Sequence, residues 1–239
     1  MTSRVQVEPA HYQHAGYDTL ARFASYWHQI DEVRRLEPES VLEVGVGNGF
    51  VADYLRKRGL AVTTLDIDGR LRPDVVGTLH ALPFKGGAFE VVACFEVLEH
   101  LPYEELPRGL AELARVARRS IVLSIPDGSD AGWVDLRLGA FRRVRSFRRL
   151  FTLPRLRPRA TPRTPGEHHW EINIRGYPLR RVVADLERGT GFELVRAYRS
   201  FQNPYHRFFV LRRPSARDGR RGGAAVLTAD SPRAGGRRA

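Results

Sequence analysis

The sequence predicts an α/β fold: a doubly wound, mostly parallel sheet of seven strands, finished on one side by an antiparallel edge strand. Two observations carry this expectation. From residue 40 to residue 126, short β-type runs alternate with segments of helical periodicity, which demands right-handed crossovers and a sheet covered on both faces. Beyond residue 191, two β-type runs follow one another across Gln202-Asn203-Pro204, the pattern of an antiparallel pair.

Each element has its own signal. Leu20, Phe23, Trp27, Ile30 and Val33 lie near helical spacing, so residues 17–36 read as an amphipathic helix whose apolar stripe is core or lid. Ser40 to Val44 is a short strand ending in a glycine cluster; Phe50, Val51, Tyr54 and Leu55 continue at helical spacing, and Gly59 stops them. Leu60 to Leu65, a short run near Asp74 to Gly77, and Phe89 to Phe95 supply the next three strands. Leu106, Leu110, Leu113 and Ala117 share a helical face, and Ser120 to Ile125 is a fifth strand stopped by Pro126. Residues 127–169 break the rhythm, with Trp133, Phe141, Phe147 and Phe151 among arginines and Pro154, Pro158, Pro162 and Pro165 behind them. They read as an insertion or cap: a helical basic portion to about residue 151, then an extended connector. A last helix carries Leu179, Val182, Val183 and Leu186, and Phe192 to Ser200 and Tyr205 to Arg212 form the antiparallel pair. From Pro214 onward Gly, Ala, Arg and Ser dominate, which predicts a disordered tail over 214–239. The organisation is therefore an N-terminal helical segment, 1–39, a main domain, 40–213, and the tail.

Composition narrows the function. The chain is 42 % apolar and 10 % aromatic, as expected of a globular core. No apolar run approaches the roughly 18 to 20 residues a membrane span needs, and the N-terminus lacks the apolar stretch of a secretory signal, so a cytoplasmic protein is expected. Cys94 is the single cysteine, which excludes an internal disulfide and a cysteine-built zinc site; no histidine pair has the i, i+4 spacing of a helical metal motif, and no metal is expected. The net charge of +12 is localised: ten Arg against three Asp in 127–165, and six Arg against two Asp in 214–239. An anionic partner, nucleic acid or a membrane surface, could meet these segments. With 37 of 39 basic residues being Arg, compositional bias explains the same charge.

The chemistry centres on Glu43-Val44-Gly45-Val46-Gly47-Asn48-Gly49. Three glycines directly after a strand and before a helix stand where a doubly wound sheet receives nucleotide-like ligands, since side chains would block the approach to backbone. Nineteen residues past Gly47, Asp66 ends the second strand, where a carboxylate accepts hydrogen bonds from ribose hydroxyls. The spacing departs from G-x-G-x-x-G, with Phe50 at the sixth position. Glu43 beside the loop suits a cation better than a pyrophosphate. S-adenosylmethionine carries an ammonium and a sulfonium and no phosphate.

Four ordered motifs give the resemblance: Val41-Leu42-Glu43-Val44-Gly45-Val46-Gly47-Asn48-Gly49, Leu65-Asp66-Ile67-Asp68, Leu82-Pro83-Phe84 and Val97-Leu98-Glu99-His100-Leu101. Over residues 40–126 the chain resembles the Rossmann-like class I methyltransferase domain, of the type that also methylates quinone precursors and other small molecules. The resemblance implies that Glu43 and the loop hold the methionine part of S-adenosylmethionine. It implies ribose and adenine at Asp66 and Ile67, Thr78 and Leu79 flanking the adenine, and the backbone around Phe95 and Glu96 facing the methionine part. Many relatives carry an acid at the position of Thr78.

Methyl transfer asks mainly for alignment of nucleophile, methyl carbon and sulfur. A hydroxyl acceptor also needs a proton acceptor, and histidine suits neutral pH. The candidates are His100, after the fourth strand, and His168 and His169, within Gly166-Glu167-His168-His169-Trp170-Glu171 on the acceptor side. His206 reads as a satisfied strand residue, His80 ranks behind the others, and Cys94 reads as core. The expected function is methyl transfer to a small-molecule or lipid-like acceptor. Its rivals are nucleic-acid methylation through the Arg-rich insertion, a non-catalytic S-adenosylmethionine-binding protein, and a nicotinamide oxidoreductase, which the glycine spacing disfavours.

Overall fold

A computed structural model describes residues 8–13, 16–140, 143–153, 158–215 and 226–227. Its main sheet is built from β1 (Ser40–Val44), β2 (Ala61–Asp66), β3 (Val75–Val76), β4 (Phe89–Phe95), β5 (Ala117–Pro126), β8 (Glu193–Arg199) and β9 (His206–Arg212), with β10 (Val226–Leu227) at one margin. The strand order is β10-β8-β9-β5-β4-β1-β2-β3. β1 runs parallel to β2 and β4, and β4 parallel to β5; β9 alone is reversed, antiparallel to both β5 and β8. Seven of these strands are the seven expected, and the order turns at β1, where chain connections leave in opposite directions and open a crevice.

Two faces of the sheet feed two cores, and strand periodicity decides which residue joins which. Leu42, Val44, Val92, Cys94, Ile121, Leu123, Phe209 and Leu211 pack with the helices α4 (Leu106–Val116) and α5 (Leu179–Thr190). Their neighbours Val41, Val91, Ala93, Phe95, Val122 and Val210 pack with α2 (Leu20–Arg35) and α3 (Phe50–Lys57). A short helix, α1 (Pro9–Gln13), precedes these. No described helix is long and apolar enough to cross a membrane.

The stripe of α2 differs from expectation. Tyr26, Ile30 and Val33 are buried, while Leu20, Phe23 and Trp27 are exposed. Polar partners set this rotation: the Tyr26 hydroxyl receives a hydrogen bond from Asn48 Nδ2 (3.0 Å), and His28 Nδ1 meets the Tyr198 hydroxyl (3.1 Å).

The insertion corrects the sequence reading more sharply. Where a basic helix is expected, the chain forms a two-stranded hairpin of β6 (Ala131–Ala140) and β7 (Arg143–Thr152), in register from Ala131 opposite Thr152 to Ala140 opposite Arg143. The reason is the alternation Val134-Asp135-Leu136-Arg137-Leu138, a period of two that no helix satisfies. At its foot, the fully buried Asp127 accepts from Arg207 Nε (2.9 Å), Ser129 N (3.0 Å) and Asn173 Nδ2 (3.2 Å), with Arg199 Nε at 3.6 Å. The tail expected to be disordered lies outside the described residues, apart from Pro214, Ser215 and β10, which pairs parallel to β8.

Candidate functional site

The glycine loop at the end of β1 is shaped by close approach. Gly45 has φ 85°, and a Cβ there would lie 2.3 Å from Val97 Cγ2, so both conformation and space demand glycine. Gly47 is also left-handed (φ 53°), with the Tyr12 ring facing the place of its missing side chain at 3.6 Å. Asn48 Oδ1 accepts from Phe50 N (3.2 Å) and so satisfies an otherwise unpaired amide at the start of α3.

Asp66, at the end of β2, locks this loop to the next. Its Oδ2 accepts from Val46 N (2.8 Å) and its Oδ1 from Asp68 N (2.9 Å). Burial raises its carboxyl above the usual range, against the pull of those amides and that of Ile67. Each carboxylate oxygen keeps further acceptor capacity toward the crevice.

A cavity of about 480 Å³ opens over these two strand ends. Its lining includes Glu43, Gly45, Val46, Gly47, Asn48, Asp66, Ile67, Thr78, Leu79, Phe95, Glu96, His100, His168 and His169, so every candidate site residue except Gly49 faces one space. Gly49 is the N-cap of α3, with φ 77°. Leu79 belongs both to the core and to the cavity wall. The Thr78 hydroxyl accepts from His80 N (3.3 Å), a local turn contact.

The wall is acidic although the chain is basic. Among the described residues, seven carboxylates line it (Glu43, Asp66, Asp68, Glu96, Glu99, Glu105 and Glu167) against Arg22 as the single arginine. Burial pushes Glu43 up to about 8, opposed by Arg56 and the Ala52 amide, and Glu43 Oε2 has no hydrogen-bond partner among the described residues. Glu96, held at φ 54° just past β4, is likewise pushed up to about 8 by burial. Glu99 is fully buried, both its oxygens lack a hydrogen-bond partner among the described residues, and burial raises it well above the carboxylate range.

The three candidate histidines line the same cavity. His168 Nδ1 lies 2.8 Å from Thr164 Oγ1 and 3.1 Å from Glu171 Oε1, with Nε2 4.0 Å from Glu99 Oε1. Glu171 also accepts from the Tyr205 hydroxyl (2.6 Å) and Arg163 N (2.7 Å); although burial raises its carboxyl, these bonds hold it below the usual range. His100 Nδ1 meets the Glu167 carbonyl at 2.9 Å, and burial, reinforced by His168, drives its ring down to about 4. His169 is exposed at the rim, with its amide on the Glu99 carbonyl (2.8 Å). Cys94 is buried in the core, as expected.

Sequence reasoning missed several wall residues. His206, read as a strand residue only, lines the cavity with Nε2 3.4 Å from Glu96 Oε2, and burial takes it down to about 3. Tyr12, Tyr17 and Arg22 close the cavity from the N-terminal side. The recurrence of aromatics in His11-Tyr12 and Tyr17 is the only local hint of this. Glu99 sits inside a quoted motif, yet nothing in its spacing marks it as a wall residue.

Comparison with known proteins agrees with this geometry. A family model described as a methyltransferase domain matches residues 42–124. The chain carries a class I methyltransferase domain. That domain is 34 % identical over 90 residues to the ubiquinone biosynthesis O-methyltransferase of Azotobacter vinelandii, covering 30 % of this chain and 38 % of that protein. The namesake from Xanthomonas axonopodis pv. citri is 27 % identical over 139 residues, 43 % of this chain and 56 % of that one. The chain thus spans between about two fifths and just over half the length of these relatives. In fold, the methyltransferase domain and its flanks resemble Burkholderia thailandensis 1,6-didemethyltoxoflavin-N1-methyltransferase with bound S-adenosylhomocysteine (TM-score 0.55, 15 % identity, 86 % of this chain and 85 % of that one). They also resemble magnesium protoporphyrin IX methyltransferase from Synechocystis PCC 6803 (TM-score 0.54, 18 % identity, 86 % and 92 %).

Proposed function

We propose that the protein transfers a methyl group from S-adenosylmethionine to a small-molecule or lipid-like acceptor. The observation that carries this reading is the acidic lining around a glycine-rich loop. A cavity ringed by seven carboxylates in a chain of charge +12 attracts a sulfonium and an ammonium and repels a pyrophosphate. In this reading Glu43 and the loop from Gly45 to Gly49 receive the methionine part. Asp66 and Ile67 take the ribose and adenine, Thr78 and Leu79 flank the adenine, and the backbone at Phe95 and Glu96 faces the sulfonium. The acceptor lies against Glu99, His100 and His168, with His169 at the rim.

The reaction is an in-line displacement. A lone pair of the acceptor forms the bond to the methyl carbon as the carbon–sulfur bond breaks, its electrons remain on sulfur, and S-adenosylhomocysteine leaves. Positioning of this kind supplies roughly 7 to 11 kcal/mol in favourable cases. The test is a thermal-shift titration with S-adenosylhomocysteine, because a ligand bound only by the folded state raises stability with the logarithm of its concentration. Wild type is expected to shift and Asp66→Ala to lose the shift, with circular dichroism confirming that the variant is folded. An undiminished shift in a folded Asp66→Ala protein sinks the ribose assignment.

A further inference from the structure

Glu99, His100 and His168 each offer a potential ligand atom, and these atoms lie within 4.8 Å of one another on the wall of the main cavity. We propose that this cluster binds a divalent first-row transition-metal ion, such as Zn²⁺, at the acceptor side of the site. The placement against the acceptor rests on the methyl-transfer reading above; the metal site itself does not.

Three features argue for it. The hydrogen bonds of the imidazoles fix which nitrogen points where. A carboxylate and a backbone carbonyl can only accept, so the contacts to Glu171 Oε1 (3.1 Å) and the Glu167 carbonyl (2.9 Å) favour the proton on Nδ1 of His168 and of His100, with the Thr164 hydroxyl (2.8 Å from His168 Nδ1) then a second acceptor. In the neutral rings the lone pair is then on Nε2, and for His168 that atom is the one turned to Glu99 (4.0 Å). A carboxylate or carbonyl behind each ligating imidazole is the usual outer support of a metal site. The second feature is Glu99 itself: its carboxyl is fully buried, and neither oxygen has a hydrogen-bond partner among the described residues. A buried carboxylate demands a proton or a cation. Lastly, two imidazoles and one carboxylate suit borderline transition metals over Mg²⁺ or Ca²⁺, and three protein ligands leave a coordination position for a solvent or acceptor oxygen.

The geometry needs only a modest contraction. Ligand atoms bound at about 2.0 to 2.2 Å around one ion sit roughly 3 to 4 Å apart, closer than the present 4.8 Å limit.

Two readouts test the proposal without any turnover. Co²⁺ added to the metal-free protein is expected to give a visible d–d absorption band at one equivalent, lost in Glu99→Gln and His168→Ala. Zn²⁺ is expected to raise the melting temperature of wild type and not that of Glu99→Gln. Without metal, Glu99→Gln is expected to melt no lower than wild type, because it removes an unpaired buried acid. Glu171→Gln, which loosens the support of His168, should weaken Zn²⁺ binding by about 10- to 100-fold. The proposal is overturned if wild type gives neither the band nor the Zn²⁺ shift, or if Glu99→Gln retains both. A thermal shift with S-adenosylhomocysteine in the same samples separates the two readings: metal lost with that shift intact removes only the metal site.

Discussion

If Glu43 serves a cationic ligand, its ionisation must be coupled to binding, and the size of the coupling follows from its burial. In the empty protein the carboxyl is pushed up to about 8, so near pH 6 it is protonated. A cation stabilises the ionised form. Binding therefore expels a proton, and affinity rises with pH up to the raised value and levels off above it. The α-amino group of S-adenosylmethionine itself begins to lose charge close to pH 8, so the informative window runs from pH 6 to pH 7.5. With a value of about 8, roughly 1 % of Glu43 is ionised at pH 6 and roughly 24 % at pH 7.5, so apparent affinity should improve by up to about 25-fold. Isothermal titration at pH 6.0, 6.75 and 7.5 measures this directly. Repeating one pH in phosphate and in Tris reports the released proton through the buffer's ionisation heat. Glu43→Gln should bind more weakly at pH 7.5 and with a much flatter pH dependence. Glu96, also near 8, adds to the wild-type slope, so the difference between wild type and Glu43→Gln is the decisive quantity. Equal slopes for the two proteins would refute the assignment of Glu43 to the cation.

Two further predictions concern the scaffold. Gly45→Ala forces a Cβ onto Val97 Cγ2 in a left-handed conformation, and should cost about 1 to 3 kcal/mol by urea unfolding, together with weakened S-adenosylhomocysteine binding; a loss under 0.5 kcal/mol contradicts the packing argument. Asp127→Asn leaves Arg207 and Arg199 facing each other without their shared anion, and should cost about 3 to 5 kcal/mol at pH 7. Burial raises the Asp127 carboxyl, but Arg207 and Arg199 more than reverse this, so its folded value is depressed. Its contribution is present above the ordinary aspartate range and is lost as pH falls through the depressed value. The gap between wild type and variant should close on acidification, and a gap of constant size from pH 7 to pH 2 would disprove the linkage.

The sheet was legible in the sequence because each central strand sends alternate residues into two different cores. Leu42 and Val44 go one way and Val41 the other, so a run such as Val91 to Phe95 is continuously apolar, as a strand covered on both faces must be. The hairpin was not legible. Arginines and scattered aromatics dominate its composition, and they mask the alternation in Val134 to Leu138 that fixes it. The rotation of α2 was hidden for a different reason. It depends on polar partners outside the helix, Asn48 for Tyr26 and the much more distant Tyr198 for His28. In the site, the glycine loop and Asp66 were readable because their chemistry is local to two strand ends. His206 was not, because its place on the cavity wall follows from the register of the reversed strand β9, where it stands opposite Pro126.

The same fold holds two kinds of carboxylate, and the contrast between them supports the proposed site. Asp127 and Glu171 are surrounded by donors that outweigh the cost of burial, and both are held below the usual carboxylate range. Such groups tie segments together and ask nothing of a ligand. Glu43 and Glu99 are buried, and Glu96 half-buried, without equivalent donors, and each is raised. Three uncompensated acids around one cavity weaken the empty protein, since each must carry a proton there or bear an unpaired charge. Positive charge was available to neutralise them, yet among the described residues Arg22 is the single arginine of this wall, while the sequence of the hairpin and tail is rich in arginine. An arrangement that leaves the cavity's own acids unpaired while arginine is plentiful elsewhere is the one expected when the missing cations arrive with the ligands.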